Sequence, residues 1–237
     1  MHQVTVRKEI VDRVLQRRGR YHLFDQLNPL RTALVVIDMQ GTFCAPGSPA
    51  EVATARGIVE PINRLTTELR KLDVPVIWVL HANTQIAGRS DWELFFNHIV
   101  ADQVKEKTLE SLSPGRQEIW TDLTVGPGDR TVVKNRYSAL IPGSSPLERI
   151  LRSIDVDTIL IAGTKTNICC ESTARDAMML DFKTVMVEDC CAALSDDEHR
   201  AALENMIQQF GDVMTADEVL ARLHGYANLV GNNASRS

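Results

Sequence analysis

Short apolar runs of strand length recur along the chain: TALVVIDM at 32–39, VPVIWVLH at 74–81, RTVVKN at 130–135, DTILIAG at 157–163 and FKTVMVED at 182–189. They are almost continuous in Val, Ile and Leu rather than alternating, which is the pattern of strands covered on both faces in a parallel sheet. A weaker sixth strand is predicted at GDVMTADE, 211–218. Helical periodicity fills most of the gaps, over 51–72, 145–154, 167–181, 196–209 and 216–224, and strand–helix alternation of this kind calls for right-handed crossovers. The expected fold is α/β and doubly wound, a mostly parallel, Rossmann-like sheet of about six strands with helices on both faces.

Two stretches depart from this rhythm. Val6, Ile10, Val11, Val14 and Leu15 give residues 6–18 an amphipathic helical face, followed by the basic RRGRYH. An arm packed on the body or on a neighbouring subunit accounts for it better than a membrane-surface or calmodulin-type helix. Residues 1–28 are therefore expected as an N-terminal helical arm and 29–237 as a single domain. The second departure is 82–128, which carries Trp92, Phe95, Phe96, Pro114, Trp120 and Pro127. A stretch this long is expected to form a pocket wall or lid rather than a plain connector.

Composition narrows the function classes. At 237 residues and 44% hydrophobic the chain can bury one sizeable core. A formal charge of -5 offers no basic footprint for phosphates, so no nucleic-acid partner is expected. No run reaches the roughly eighteen apolar residues of a membrane span, and the charged N-terminal stretch lacks a signal-peptide core. A soluble, cytoplasmic protein without a membrane partner is expected. Cys44, Cys169, Cys170, Cys190 and Cys191 are odd in number and include two adjacent pairs, unlike a secreted disulfide framework, so reduced thiols are expected.

Ligands of open parallel sheets bind beyond the carboxyl ends of the strands. Three polar residues end or follow apolar runs there: Asp38 after LVVI, Lys134 after TVV, and Cys169 at the start of the helix after ILIAG. Singly, Asp38 could cap a turn, Lys134 could snorkel and Cys169 could be a small buried hydrophobe. Together they supply a carboxylate, an ammonium and a thiol at one sheet edge, a complete set for nucleophilic acyl transfer. A thiol in the first turn of a helix is also expected to ionise easily. Cys170 shares a stripe with Ala174, Ala177 and Met178 and is expected to face the core, which leaves Cys169 as the nucleophile. A redox or metal role for the vicinal pairs lacks CxxC spacing and clustered His. GTKT at 163–166 lacks the glycines of a P-loop.

ALVVIDMQ at 33–40, VVKNRYSAL at 132–140 and AGTKTNICCESTARDA at 162–177 resemble, in that order, the motifs of the isochorismatase-like cysteine hydrolases, and the resemblance covers nearly all of the chain after about residue 30. It implies a catalytic triad of Asp38, Lys134 and Cys169, a cis peptide between Thr164 and Lys165, and an oxyanion hole made by the N–H groups of Lys165 and Cys169. The activity implied is attack on the carbonyl of a small amide, ureido or N-carbamoyl compound through a thioester, with release of ammonia or an amine. Nicotinamidase-like members carry a metal-binding Asp-x-His element after the second strand; here the stretch reads HANTQ, 81–85, so neither a metal nor another cofactor is expected. KNRYSAL and TNICCESTARDAMML look most like the ureidoacrylate and N-carbamoyl amidohydrolase branch, with His81, Asn83, Trp78, Trp92 and Tyr137 as candidates to line the substrate pocket. The alternatives are a non-catalytic small-molecule-binding member of the fold, or a hydrolase of another bond such as a vinyl ether. The arm and the resemblance favour a homo-oligomer, dimer or tetramer.

Overall fold

A computed structural model describes residues 2–234. Its helices are α1 (Lys8–Arg18), α2 (Gly41–Cys44), α3 (Val59–Lys71), α4 (Asp102–Ser111), α5 (Leu147–Ser153), α6 (Glu171–Met179), α7 (Asp196–Asn205) and α8 (Ala216–Ala234). Its strands are β1 (Thr32–Ile37), β2 (Val76–His81), β3 (Gln85–Ile86), β4 (Arg89–Ser90), β5 (Arg130–Lys134), β6 (Thr158–Thr164), β7 (Lys183–Ala192) and β8 (Asp212–Met214). Six of them form one sheet in the order β5-β2-β1-β6-β7-β8, every neighbouring pair parallel. The expected doubly wound fold is what forms, with β3 and β4 apart as a small antiparallel hairpin.

β1, β2 and β6 are buried at every position, so both faces of each strand must be apolar. Alternate residues of β1 serve opposite layers. Leu34 and Val36 pack with Ile62 and Leu65 of α3 and Leu223 of α8. Val35 and Ile37 pack with Leu151 of α5 and Ala174 and Ala177 of α6. β5 lies at the sheet edge, where only Val132 and Lys134 are buried.

Where sequence and structure differ, local hydrogen bonding decides. The sixth strand ends at Met214 rather than 218, because Thr215 opens α8 with a reciprocal cap: its Oγ1 accepts from Glu218 N at 3.2 Å, and its N–H donates to Glu218 Oε2 at 2.8 Å. The helix expected over 51–72 begins with a 3-10 turn, Ala53–Ile58. The helix expected over 167–181 is divided into a π-turn, Thr166–Cys170, and then α6. Met178 departs from the expected core stripe and is 42% exposed, whereas Cys170, Ala174 and Ala177 are fully buried. At eight residues from Cys170 it lies about 80° around an ideal helix, on the rim of the stripe.

The arm packs on its own body. Ile10 and Val14 of α1 enter the core layer that holds α5 and α6, and Arg7 Nε and backbone N donate to Glu204 of α7 at 2.8 and 3.0 Å. The 82–128 stretch holds the β3–β4 hairpin, a π-turn at Phe95–Ile99 and α4. It returns to the sheet where Trp120 N donates to Met39 O at 2.8 Å. Among the described residues, no helix is long and apolar enough to cross a membrane.

Candidate active site

β1 delivers Asp38 to the carboxyl edge of the sheet. Its N–H donates to Val79 O at 2.8 Å, one step beyond the β1–β2 ladder, and its backbone then turns into the left-handed region at φ 56°. An L-residue rarely adopts this conformation, and here it redirects the chain out of the sheet immediately after the carboxylate. Two residues on, the side-chain amide of Gln40 clamps the main chain of β2: Oε1 accepts from His81 N at 2.7 Å and Nε2 donates to His81 O at 3.1 Å. The ends of β1 and β2 are thereby locked together around the site.

Lys134, the last residue of β5, is fully buried and does not snorkel to solvent. Its Nζ donates to Asp38 Oδ2 at 2.9 Å, to the Arg136 carbonyl at 3.0 Å and to His81 Nδ1 at 3.0 Å, with Cys169 Sγ at 3.6 Å. Burial alone would favour the neutral amine, but the charge of Asp38 opposes it, and the ammonium is held above its ordinary value. Burial lifts the Asp38 carboxyl above the usual carboxylate range, against the pull of Lys134. Asp38 Oδ1 is buried with no hydrogen-bond partner among the described residues.

Cys169 stands in the π-turn that follows β6, 5% exposed. The Thr164–Lys165 peptide just before it is cis, as the resemblance implies. Ile168 N and Cys170 N both donate to the Lys165 carbonyl, at 3.1 and 3.2 Å. The expectation of an easily ionised thiol is corrected: burial, and next the negative charge of Asp38, push the Cys169 thiol well above its ordinary value despite Lys134. The π-turn places Cys169 ahead of α6, in a desolvated pocket beside a carboxylate. Both effects oppose a standing thiolate there.

Cys169 forms part of the wall of a cavity of about 80 Å³, together with His81, Asn83, Trp92, Tyr137 and Lys165. Four of the five pocket candidates are thus brought together. Trp78 is not, and that expectation is corrected: it is fully buried in mid-strand, where its Nε1 donates to Asp129 Oδ2, just before β5, at 2.8 Å. His81 is the last residue of β2 and reaches the carboxyl edge where the cavity lies, whereas Trp78 is three residues short of it. Sequence reasoning missed Phe43, which follows the Asp38 turn, and Ile168, which directly precedes Cys169 in the π-turn. Phe95 and Phe96 also contribute, and Trp92 stacks on Phe95 at 4.8 Å and meets Tyr137 edge-on at 4.7 Å. Their aromatic clustering within 82–128 was the available signal.

Asp38, His81 and Cys169 offer an oxygen, a nitrogen and a sulfur within 4.8 Å of one another, a donor set suited on its face to a metal ion. It does not fit one, because Lys134 Nζ already binds Asp38 Oδ2 and His81 Nδ1. A dication would have to sit against a buried ammonium.

A profile of the isochorismatase domain matches residues 32–218. Among solved structures, a cysteine hydrolase from Pseudomonas syringae pv. phaseolicola 1448A is 31% identical with a TM-score of 0.71, over 84% of this chain and 95% of that one. An isochorismatase family protein from Desulfovibrio vulgaris subsp. vulgaris is 30% identical with a TM-score of 0.67, over 81% of this chain and 99% of that one. N-carbamoylsarcosine amidase from Thermoplasma acidophilum shares the fold at 23% identity and a TM-score of 0.64, over 79% of this chain and 97% of that one.

Proposed function

The chain belongs to the isochorismatase domain family, and from that premise we propose that it is a cysteine-dependent amidohydrolase. It cleaves a C–N bond of a small amide, ureido or N-carbamoyl compound through a thioester and releases ammonia or an amine. One observation carries this reading. A buried carboxylate with an orphaned oxygen and a buried ammonium meet a thiol at the wall of a small cavity.

In this reading Asp38, Lys134 and Cys169 are the catalytic triad. Asp38 Oδ1 takes the Cys169 proton as the substrate carbonyl arrives, since burial disfavours a thiolate in the resting site. Sγ bonds to the carbonyl carbon, and the oxyanion is received by the N–H groups of Lys165 and Cys169. The carbonyl of Lys165 occupies the amides of Ile168 and Cys170 instead. Asp38, its carboxyl lifted by burial, returns the proton to the leaving nitrogen as the C–N bond breaks. A water then gives a proton to Asp38 and attacks the thioester, and that proton goes back to Sγ as the C–S bond breaks. Lys134 moves no proton. It balances the charge that passes between Asp38 and Cys169.

The ureido and N-carbamoyl class is supported by KNRYSAL and TNICCESTARDAMML, which resemble that branch. With such a substrate the carbamate released decomposes to ammonia and carbon dioxide. His81, Asn83, Trp92 and Tyr137 would orient it. The same reading has residues 1–28 as an arm on one catalytic domain, a homo-oligomer, and a cytoplasmic protein, the last supported by five buried free thiols.

Ammonia release from a panel of small amides, ureido acids and N-carbamoyl amino acids is the test. Turnover of at least one class is expected, falling by at least about a thousandfold in Cys169→Ala. Full activity in that variant rejects the mechanism.

A further inference from the structure

Lys134 has three N–H bonds, and three strong acceptors surround it. Asp38 Oδ2, the Arg136 carbonyl and His81 Nδ1 lie at 2.9, 3.0 and 3.0 Å. Asp38 is its charge partner and the carbonyl belongs to the turn just after β5, but His81 takes part in no bond-making or proton-transfer step of the proposed chemistry. It is nevertheless 4% exposed and built in from three sides. Its backbone is clamped by Gln40, its ring stacks with Trp92 at 6.0 Å and 16°, and its Nε2 is 2.8 Å from Asn83 Oδ1.

These contacts settle which ring nitrogen carries the proton. Lys134 can only donate, so His81 Nδ1 must be an unprotonated acceptor. Nε2 then carries the hydrogen and donates to the Asn83 oxygen. That oxygen is oriented in turn, because Asn83 Nδ2 donates to Asp91 Oδ1 at 2.8 Å and to the Asn135 carbonyl at 3.2 Å. The charged groups near the ring agree with this assignment: burial first, then Lys134 and Arg136, disfavour a protonated imidazole and push it well below its ordinary value. Asp38, 4.0 Å from Nδ1, faces the ring from β1.

The geometry points to His81 as a positioning residue for Lys134: a neutral imidazole, held as the Nε2–H tautomer by Asn83 and Asp91, that takes up the third ammonium proton and aims the charge between Asp38 and Cys169. This rests on Cys169 being the nucleophile, and it goes further by giving His81 a defined state and task. It also ties Lys134 to the lid stretch. Asp91 lies directly before Trp92 of the cavity wall, and its carbonyl accepts from Arg136 Nη2 at 2.8 Å.

Two measurements on the full chain test it. Nitrogen-15 NMR of histidine-labelled protein reads the ring directly; Nδ1 of pyridine type and Nε2 of pyrrole type, unchanged through neutral pH, are expected. The opposite tautomer, or a protonated ring, overturns the inference. The second measurement is the rate of Cys169 alkylation by iodoacetamide across a pH series, followed by mass. His81→Leu removes the acceptor and is expected to slow alkylation about tenfold at a given pH, equivalent to moving the profile up by about one pH unit. His81→Gln keeps a neutral acceptor and is expected to recover most of the loss. An unshifted profile in a folded His81→Leu protein overturns the inference. Cys169 that is inert at every pH in the unaltered protein instead rejects the nucleophile reading, while the NMR result still decides the state of His81.

Discussion

At the scale of single residues, this site is governed by what burial does to charge. Cys169, Lys134 and Asp38 are all at most 5% exposed, and each ionised form is tolerable only because an opposite charge or a donor lies within reach. The same rule reaches His199 on α7, which is 2% exposed and paired through Nδ1 with Thr166 Oγ1 at 2.8 Å, on the turn that carries Cys169. Burial, and next the charge of His2 stacked on it at 4.4 Å, lower its pKa to about 3. An unfolded histidine takes up its proton near the ordinary 6.5, which the folded protein refuses until about 3. Its contribution to stability is therefore full above pH 6.5 and is lost as the pH falls through that window. His81, also held neutral, acts in the same direction. Urea midpoints are expected to fall as the pH drops from 6.5 towards 3, with a shallower slope in His199→Gln. An equal slope in the variant would show that His199 is not the linked group.

At the scale of elements, the proposed chemistry depends on how β6 lies against β1. β6 reaches the Cys169 turn through Gly163, at φ +111°, where any Cβ would meet the backbone of Ile37, 2.6 Å from its nitrogen. Ile37 directly precedes Asp38, so the glycine lets the strand that presents the thiol lie against the strand that presents the carboxylate. Gly163→Ala is expected to lower stability by more than about 2 kcal/mol, combining a strained φ with a backbone clash that cannot be relieved by a rotamer change. Chemical denaturation would measure it, and a midpoint within error of the parent would contradict the close-approach argument. The turn itself shows why local patterns stop short: periodicity announces a helix through 167–181, but π-type bonding at Thr166–Cys170 sets the direction of Cys169 before α6 begins.

At the scale of the whole molecule, the 82–128 stretch lines the cavity and also carries exposed large apolar side chains. Ile86, Leu94 and Ile99 are 75%, 66% and 68% exposed, more than a lid facing only water would be expected to show. If this surface holds copies together, light scattering will give the mass of two or four chains. The double change Leu94→Lys and Ile99→Lys will then reduce it to one, and a single-chain mass for the unaltered protein rejects the oligomer. The sequence alone determined the order of the six sheet strands and of the helices between most of them, though not the elements of 82–128, because strands buried in a sheet are written in short apolar runs. It also marked Asp38, Lys134 and Cys169, since polar residues closing such runs fall at the edge where parallel sheets bind ligands. It could not separate Trp78 from His81, a core residue from a cavity residue on the same strand, because that depends on how far along the strand the packing leaves room for the cavity. Nor could it reveal that Lys134 has a third acceptor or that Cys169 rests protonated. Those properties arise from distances between residues far apart in the chain and from the water their packing excludes, and only the folded chain establishes either.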